Sequence, residues 1–298
     1  MVQNSAVPSF GDYINSGAFS TEGHNGLSRF FQKYLLQKAM SVFKWDMPAV
    51  WSKNYFLYTL YCCGWISVIN TRPFGVIPQG CSLTGYNVFY NPTNAVICNP
   101  LLRGITNPRI DVDCTVIKLQ PDYGSIMDLV TYYGDMMATA ATTCGINLHN
   151  SKLSYIFTAK NKSTAATFKE LYKRLSNGEP MAVVDKDLFT TDGSPAWQAF
   201  EQNVGQNYIV DKLLADLRKL ENMFDTAIGI PNANIEKRER MIVDEVNANN
   251  AETATLCEMW LDELRDGLNK TNRMFGLNLS VDWRHNPVKQ GGVKNDVV

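Results

Sequence analysis

Histidine is scarce in this chain: His24, His149 and His285 are the only three in 298 residues. None stands at ligand or triad spacing from a partner, which speaks against a His-centred nucleophile and a zinc site. Cysteine is present seven times, an odd number. Cys62 and Cys63 are adjacent, and no CxxC spacing occurs, so the thiols read as free in a reducing cytoplasm rather than as a disulfide framework. There is no G-x-x-x-x-G-K-[ST] loop and no G-x-G-x-x-G after a strand, which leaves neither a phosphate-cradling NTPase nor a dinucleotide fold with support. Charge of one sign is missing too. The formal net charge is -1, so any nucleic-acid contact is local and weak, because affinity grows with the number of phosphates neutralised. The first twenty residues have no basic start followed by an apolar core, and do not read as a signal peptide. The longest apolar run, Phe56 to Ile69, is too short to span a membrane and holds Thr59 and Ser67; it reads as buried core. No internal repeat is visible.

What is present is a foldable chain, 45% hydrophobic and 19% charged, long enough for one large domain or two modest ones. Residues 1–26 are rich in Ser, Gly and Asn and read as a flexible arm. From Leu27 to Trp45 the apolar residues Leu27, Phe30, Phe31, Tyr34, Leu35 and Met40 recur at helical spacing, and the helix is expected to end near Asp46 and Pro48. Residues 49–121 change texture, with Gly and Pro every few residues and short apolar runs between them. Within them "DVDCTV" alternates Val112, Cys114 and Val116 against Asp111, Asp113 and Thr115, as a half-buried strand would. Its two aspartates read either as solvated carboxylates or as a metal or acid–base pair.

A long helix poor in charge is expected from Tyr123 to Ile146, with Ile126, Leu129, Val130, Tyr133 and Met137 on one face. So few charges imply cover on most sides, from its own chain or from neighbouring subunits. Residues 150–187 follow as β-α-β: "LSYIFT", a helix "STAATFKELYKRLSNG" and "PMAVV", then a loop "TTDGSPAW". The charges Lys169, Glu170, Lys173 and Arg174 read as a solvated face. A second long helix is expected from Asn207 to Ile228, with Ile209, Leu213, Leu217, Leu220 and Phe224 as its stripe. Gly229 caps it and Pro231 stops it. A third runs from Ala251 to Phe275 with Leu256, Met259, Trp260, Leu264 and Leu268 inward, before a strand "LNLSVDW" and a polar tail.

Between the last two helices lies "NANIEKRERMIVDEVNANN", residues 232–250. Its charges are Glu236, Lys237, Arg238, Glu239, Arg240, Asp244 and Glu245, three positive against four negative. Taken alone it is a solvated, partly helical loop, with Glu236 and Arg240 able to pair at i,i+4. Together with "GIP" before it and "NRMFGLNLSVDW" after it, the string resembles the same region of the head–tail connector (upper collar, or portal) proteins of small short-tailed phages with protein-primed genomes. "NYIVDKL", "LSYIFTAKN…FKELYKRLSNGEPMAVV" and "RFFQKYLLQKAMSVFKW" resemble that family's second stem-helix start, clip and first wing helix, so the likeness covers most of the chain from about residue 27 on.

The resemblance implies an α+β portal fold and a homo-dodecameric ring at one capsid vertex. Double-stranded viral DNA passes through it, driven by a separate packaging ATPase; the ring meets the capsid and scaffolding proteins, and later the lower collar or tail protein. It implies no enzyme and no cofactor. The implied parts are a flexible arm (1–26), the first part of the wing (27–122), a stem helix (123–149), the clip (150–206), a second stem helix (207–229), a channel loop (230–250), and a wing return helix, strand and tail (251–298). DNA-facing positions carried over from the family are Lys212, Lys237 and Arg238, with Arg240 beside them. Glu236, Glu239, Asp244 and Glu245 are the acidic members of the loop. A further basic position of the family falls on Asn203 here. The basic N-terminus that binds a packaging RNA in the family has no counterpart, since residues 1–26 hold no Lys or Arg. The alternative is a stand-alone DNA-binding or scaffold protein; a nuclease would need a carboxylate cluster that the sequence does not assemble.

Overall fold

A computed structural model describes residues 23–102, 107–150, 155–159, 162–176, 197–201, 208–230 and 243–284. Two compact units divide the chain: Met1–Thr139 with Leu217–Val298, and Ala140–Asp216.

The larger unit begins with helix α1, Gly23–Met40. Leu35, Leu36 and Ala39 are buried on it, while Phe30 and Tyr34, two members of the expected stripe, are exposed. The helix begins four residues before the expected Leu27, inside the expected flexible arm, and ends five before the expected Trp45, because Phe43–Asp46 leaves it to form strand β1, with Phe43 and Trp45 inward and Lys44 and Asp46 outward. This strand exists because a partner from the far end of the chain supplies its hydrogen bonds, β9 (Ser280–Trp283), antiparallel with Phe43 opposite Trp283. The apolar run then splits. Lys53–Cys63 is helix α2, started by the Ser52 side chain accepting from the Tyr55 N–H, and Trp65–Thr71 is strand β2. Both are largely buried, as a core segment should be.

β2 is the centre of a three-stranded antiparallel sheet between β3 (Gly75–Gln79) and β6 (Cys114–Lys118). A separate hairpin, β4 (Ser82–Tyr86) with β5 (Pro92–Val96), rests its root on a small core of Ile69, Ala95, Ile97, Leu102 and Cys114. The expected "DVDCTV" strand is corrected here. Asp111 takes a left-handed conformation in a turn, Val112 is exposed, and the strand starts at Cys114 with Thr115 fully buried. Thr115 can be buried because its hydroxyl meets that of Thr271 at 2.8 Å, which satisfies both groups.

Three long helices complete the frame: α3 (Met127–Asn150), α5 (Val210–Ala227) and α6 (Val243–Phe275). α3 starts four residues later than expected, after a left-handed Tyr123; Ile126 just before it, and Val130 and Met137 on it, are buried as the spacing predicted. α6 starts earlier than the expected Ala251. Its inward face carries Cys257, Trp260, Leu261, Leu264 and Leu268, while Met259 is exposed. It crosses β6 so closely that a Cβ on Gly267 would lie 3.1 Å from the Ile117 Cα.

In the smaller unit β7 (Tyr155–Ala159) pairs antiparallel with β8 (Trp197–Glu201), and helix α4 (Lys162–Ser176) follows β7. The "PMAVV" strand lies outside the described residues, and the sequence reading missed β8, taking Trp197 as the end of a loop. The N–H of Ile209 donates to Asn147 Oδ1 at 3.1 Å, tying the start of α5 to the last turns of α3.

Candidate nucleic-acid interface

α5 is an amphipathic helix whose inner stripe is Leu213, Leu217 and Leu220, half-buried, and Phe224, fully buried. Its ends are determined by chemistry the sequence shows. At the C-terminus the Gly229 N–H donates to the Thr226 carbonyl at 3.2 Å and the Ile230 N–H to the Asp225 carbonyl at 2.8 Å, with Gly229 left-handed. That pairing satisfies the last orphan carbonyls and turns the chain away. On the outer side Asp211, Lys212, Asp216, Arg218 and Lys219 are exposed. Three cations and two anions alternate there, so the face is mixed in charge with a small positive excess.

Lys212 is the one DNA-contact residue of the sequence reading whose side chain is described, and it points to solvent in the first turn of α5. Glu236, Lys237, Arg238, Glu239 and Arg240 lie outside the described residues, as does Asn203. Asp244 and Glu245 fall in the first turn of α6, so that end of the expected channel loop is helical.

The sequence reading missed what holds α5. Lys38 on α1 reaches Glu221 Oε1 at 2.7 Å and Asp225 at 2.6 Å (Oδ1) and 2.8 Å (Oδ2). Tyr34, one turn earlier, donates to Glu221 Oε1 at 2.6 Å. Burial is the largest influence on Asp225 and pushes its carboxyl above the ordinary range, despite Lys38. Burial pushes Glu221 the same way but less, so the hydrogen bonds from Lys38 and Tyr34 hold it below its ordinary value. A second tie runs from α1 to α3, where the Ser28 hydroxyl and Gln32 Nε2 both donate to Asp135 Oδ1. Tyr133 of α3 and Phe224 of α5 meet edge to face at 5.7 Å. The Cys257 thiol of α6 donates to the Ile228 carbonyl. The signal for the charged cluster was available as two i,i+4 pairs, Tyr34/Lys38 and Glu221/Asp225, each on one amphipathic helix.

Both long helices also expose apolar side chains: Tyr132, Met136, Ile146 and Leu148 on α3, and Leu214 and Met223 on α5. The remaining ion pairs among the described residues, Arg109–Asp113, Lys118–Glu263, Arg265–Asp282 and Lys270–Asp111, lie at or near the surface, where water screens them and such pairs add little to stability. Asp113 is thus engaged by Arg109, which holds its carboxyl below the ordinary value. Among the described residues no group of three His, Cys, Asp or Glu could hold a metal ion, and no helix is long and apolar enough to cross a membrane.

The family model described as Phage Connector (GP10) matches residues 106–288, a stretch that takes in the long helices, the smaller unit and the charged string. The chain belongs to the phage connector family. It is therefore a head–tail connector subunit, and its place is in the virion. Among solved structures, this connector is similar to a chain of the portal and tail of native bacteriophage P68, with 14% identity, 94% of this chain and 92% of that chain covered, and a TM-score of 0.49. It is also similar to a chain from the virion of a native gene transfer agent particle, with 12% identity, 88% and 80% covered, and a TM-score of 0.44.

Proposed function

We propose that this connector assembles as a dodecameric ring of the small short-tailed, protein-primed type, and that double-stranded DNA moves through the ring during packaging and ejection. The ring itself performs no catalysis. A packaging ATPase drives the DNA, the clip (150–206) meets that motor and then the tail protein, and the wing (27–122 and 251–298) meets the capsid and scaffolding proteins. The observation that carries this reading is the outer face of α5, where Lys212 stands among alternating charges. A conduit must let a duplex slide, and strong phosphate neutralisation would trap it through counterion release. Mixed charge suits passage. The apolar side chains exposed on α3 and α5 also suit helices that stand side by side with other copies, since patches of this kind mark contact surfaces.

Native mass spectrometry or negative-stain microscopy should show a large ring. A monomer that persists at micromolar concentration would falsify the reading. If the loop pair meets DNA rather than a neighbouring subunit, Lys237→Ala with Arg238→Ala should leave the ring intact. Packaged DNA held after motor arrest should fall about tenfold, since two cations per subunit are lost around the whole ring. If the doubly substituted protein no longer assembles, the pair is structural.

A further inference from the structure

The β4–β5 hairpin ends in a tip that is apolar, exposed and rigidly built. Tyr86 is 65% exposed, Val88 85%, Phe89 80% and Tyr90 83%. Asn87 organises the tip: its Oδ1 accepts from the N–H groups of Phe89 at 2.9 Å and Asn91 at 3.1 Å, its carbonyl accepts from Tyr90 at 3.0 Å, and its own N–H donates to Asn91 O at 3.0 Å. Tyr90 is held at a φ of 60°. A non-glycine residue in that region carries a conformational cost, and here four hydrogen bonds fix it so that the side chains are displayed outward. The root is fixed as well, by Ala95 N–H to Pro108 O at 3.0 Å and Ile110 N–H to Thr93 O at 2.9 Å.

Elsewhere on the same unit lies an open groove of about 380 Å³, lined chiefly by Val50, Trp51, Phe74, Ile77, Leu101 and Leu102. Val50, Phe74 and Leu101 are exposed at its rim. Its polar groups are already engaged: Trp51 Nε1 donates to Val76 O at 2.8 Å, and Asn99 Nδ2 to Gln79 Oε1 at 2.9 Å. What remains for an occupant is an apolar surface without charge.

We infer that the β4–β5 tip of one connector copy docks in the Val50/Phe74/Leu101 groove of the next copy. The two surfaces match in polarity, since neither the tip residues nor the groove lining includes a charged side chain. They match in size, because a cavity of about 150 Å³ holds one benzene ring and this groove has room for two. The area is sufficient to matter. Three aromatic residues of 150–250 Å² each, mostly exposed, offer with Val88 on the order of 500 Å², a large part of the ~800 Å² that each partner contributes to a stable interface. The chain's own groove is not filled by its own tip, whose four side chains stay exposed. Tip and groove are different surfaces, so the contact is head-to-tail, the kind that closes into a ring when the rotation permits. This rests on the ring reading above and names a contact that builds it.

The full chain with Phe89 replaced by photo-reactive benzoylphenylalanine, mixed from ¹⁴N- and ¹⁵N-labelled batches, tests the contact. Irradiation should give mixed-isotope cross-links from position 89 to peptides containing residues 50–55, 74–79 or 99–102. Phe89→Asp and Leu101→Asp should each need at least about tenfold more protein for half-assembly, as loss of a central anchor does. Their melting curves should not change, because both side chains are exposed in the single subunit. A wild-type ring with cross-links outside the groove or only within one chain, or a Phe89→Asp protein that assembles like wild type, overturns this contact and leaves the ring reading standing. A hairpin that cross-links to capsid protein instead, in co-assembled particles, overturns it too. A wild-type protein that never assembles removes both.

Discussion

Replacing Lys38 by Met is expected to lower stability by about 2–4 kcal/mol near neutral pH, with most of the loss returning in acid. Met keeps the length and much of the apolar stem of Lys, so the change removes chiefly the charge. That charge sits within 2.6–2.8 Å of two carboxylates, and Asp225 is only 7% exposed. Breaking a fully buried pair costs about 3–5 kcal/mol because a charge is stranded; Lys38 and Glu221 keep some access to water, which lowers the figure. The pH dependence follows from the directions of the shifts. Glu221, held below its ordinary value, contributes stability above the ordinary carboxylate range, and that contribution is lost as pH falls through its folded value. Asp225, raised by burial, favours the folded state below the ordinary range, and that advantage disappears as pH rises through its folded value. Without Lys38 the Asp225 carboxyl moves higher still, so the variant suffers most where Asp225 must ionise. As pH falls through the folded values of both carboxyls, Glu221 being the last because it is held below its ordinary value, Lys38 has little left to pair with, and the difference between variant and wild type should shrink. Urea unfolding at pH 7 and at successively lower pH measures this. A loss equal at every pH would mean that Lys38 acts through packing alone. Adding Asp225→Asn should recover stability at pH 7.

The long helices were legible because their signal is local. Val130 and Met137 on α3, with Ile126 just before it, and Leu213, Leu217, Leu220 and Phe224 on α5, repeat at the helical period, and the structure turns them inward to differing depths. What failed was decided by distant partners. Phe43–Asp46 reads as the end of a helix until β9 pairs with it from the far end of the chain, although the alternation of Phe43 and Trp45 with Lys44 and Asp46 was in view. Trp197–Glu201 is a strand only because β7 lies beside it. Thr115 is polar yet fully buried, because Thr271 comes from α6 to meet it. Face assignment failed at Met259, which is exposed while Cys257 and Leu261, two positions to either side, take inward places.

The family was legible in a different way. Nothing in the balance of three cations and four anions in residues 232–250 says what they meet; the specific string pointed to a family, and the family match then placed the chain in it. Residue physics could have reached the Lys38 cluster, since a buried ion pair between two helices needs complementary residues at i,i+4 on each. It could not have reached the tip and the groove. Exposure of Phe89 and Leu101 depends on which strands pair, and the sequence over 49–121 shows only Gly and Pro every few residues with short apolar runs between them.

Gly64→Ala is expected to cost about 3–5 kcal/mol, a large share of the 5–15 kcal/mol that holds a typical domain. Gly64 ends α2 at a φ of 90°, with its N–H donating to the Leu60 carbonyl. A side chain in the left-handed region costs roughly 1–2 kcal/mol. The rest is steric. A Cβ there would lie 2.6 Å from the carbonyl oxygens of both Tyr123 and Gly124, which are backbone and cannot rotate away. The loop carrying them cannot simply lift, because the Gly64 carbonyl accepts from the Leu119 N–H at 2.8 Å and the Tyr61 carbonyl from the Ile126 N–H at 3.2 Å. Moving it sacrifices bonds worth about 1 kcal/mol each and shifts the start of α3. Gly75→Ala is the control: its φ is 69° but nothing lies within 4 Å of the added Cβ, so it should cost only the conformational part. Denaturant midpoints of the two variants at equal protein concentration separate the terms. Equal losses would show that α2 ends at Gly64 for its backbone angle alone. The expected larger loss at Gly64 would show that the corner is also where the α3 loop rests, and such a variant should assemble poorly, because α3 carries exposed apolar residues proposed to meet the next copy.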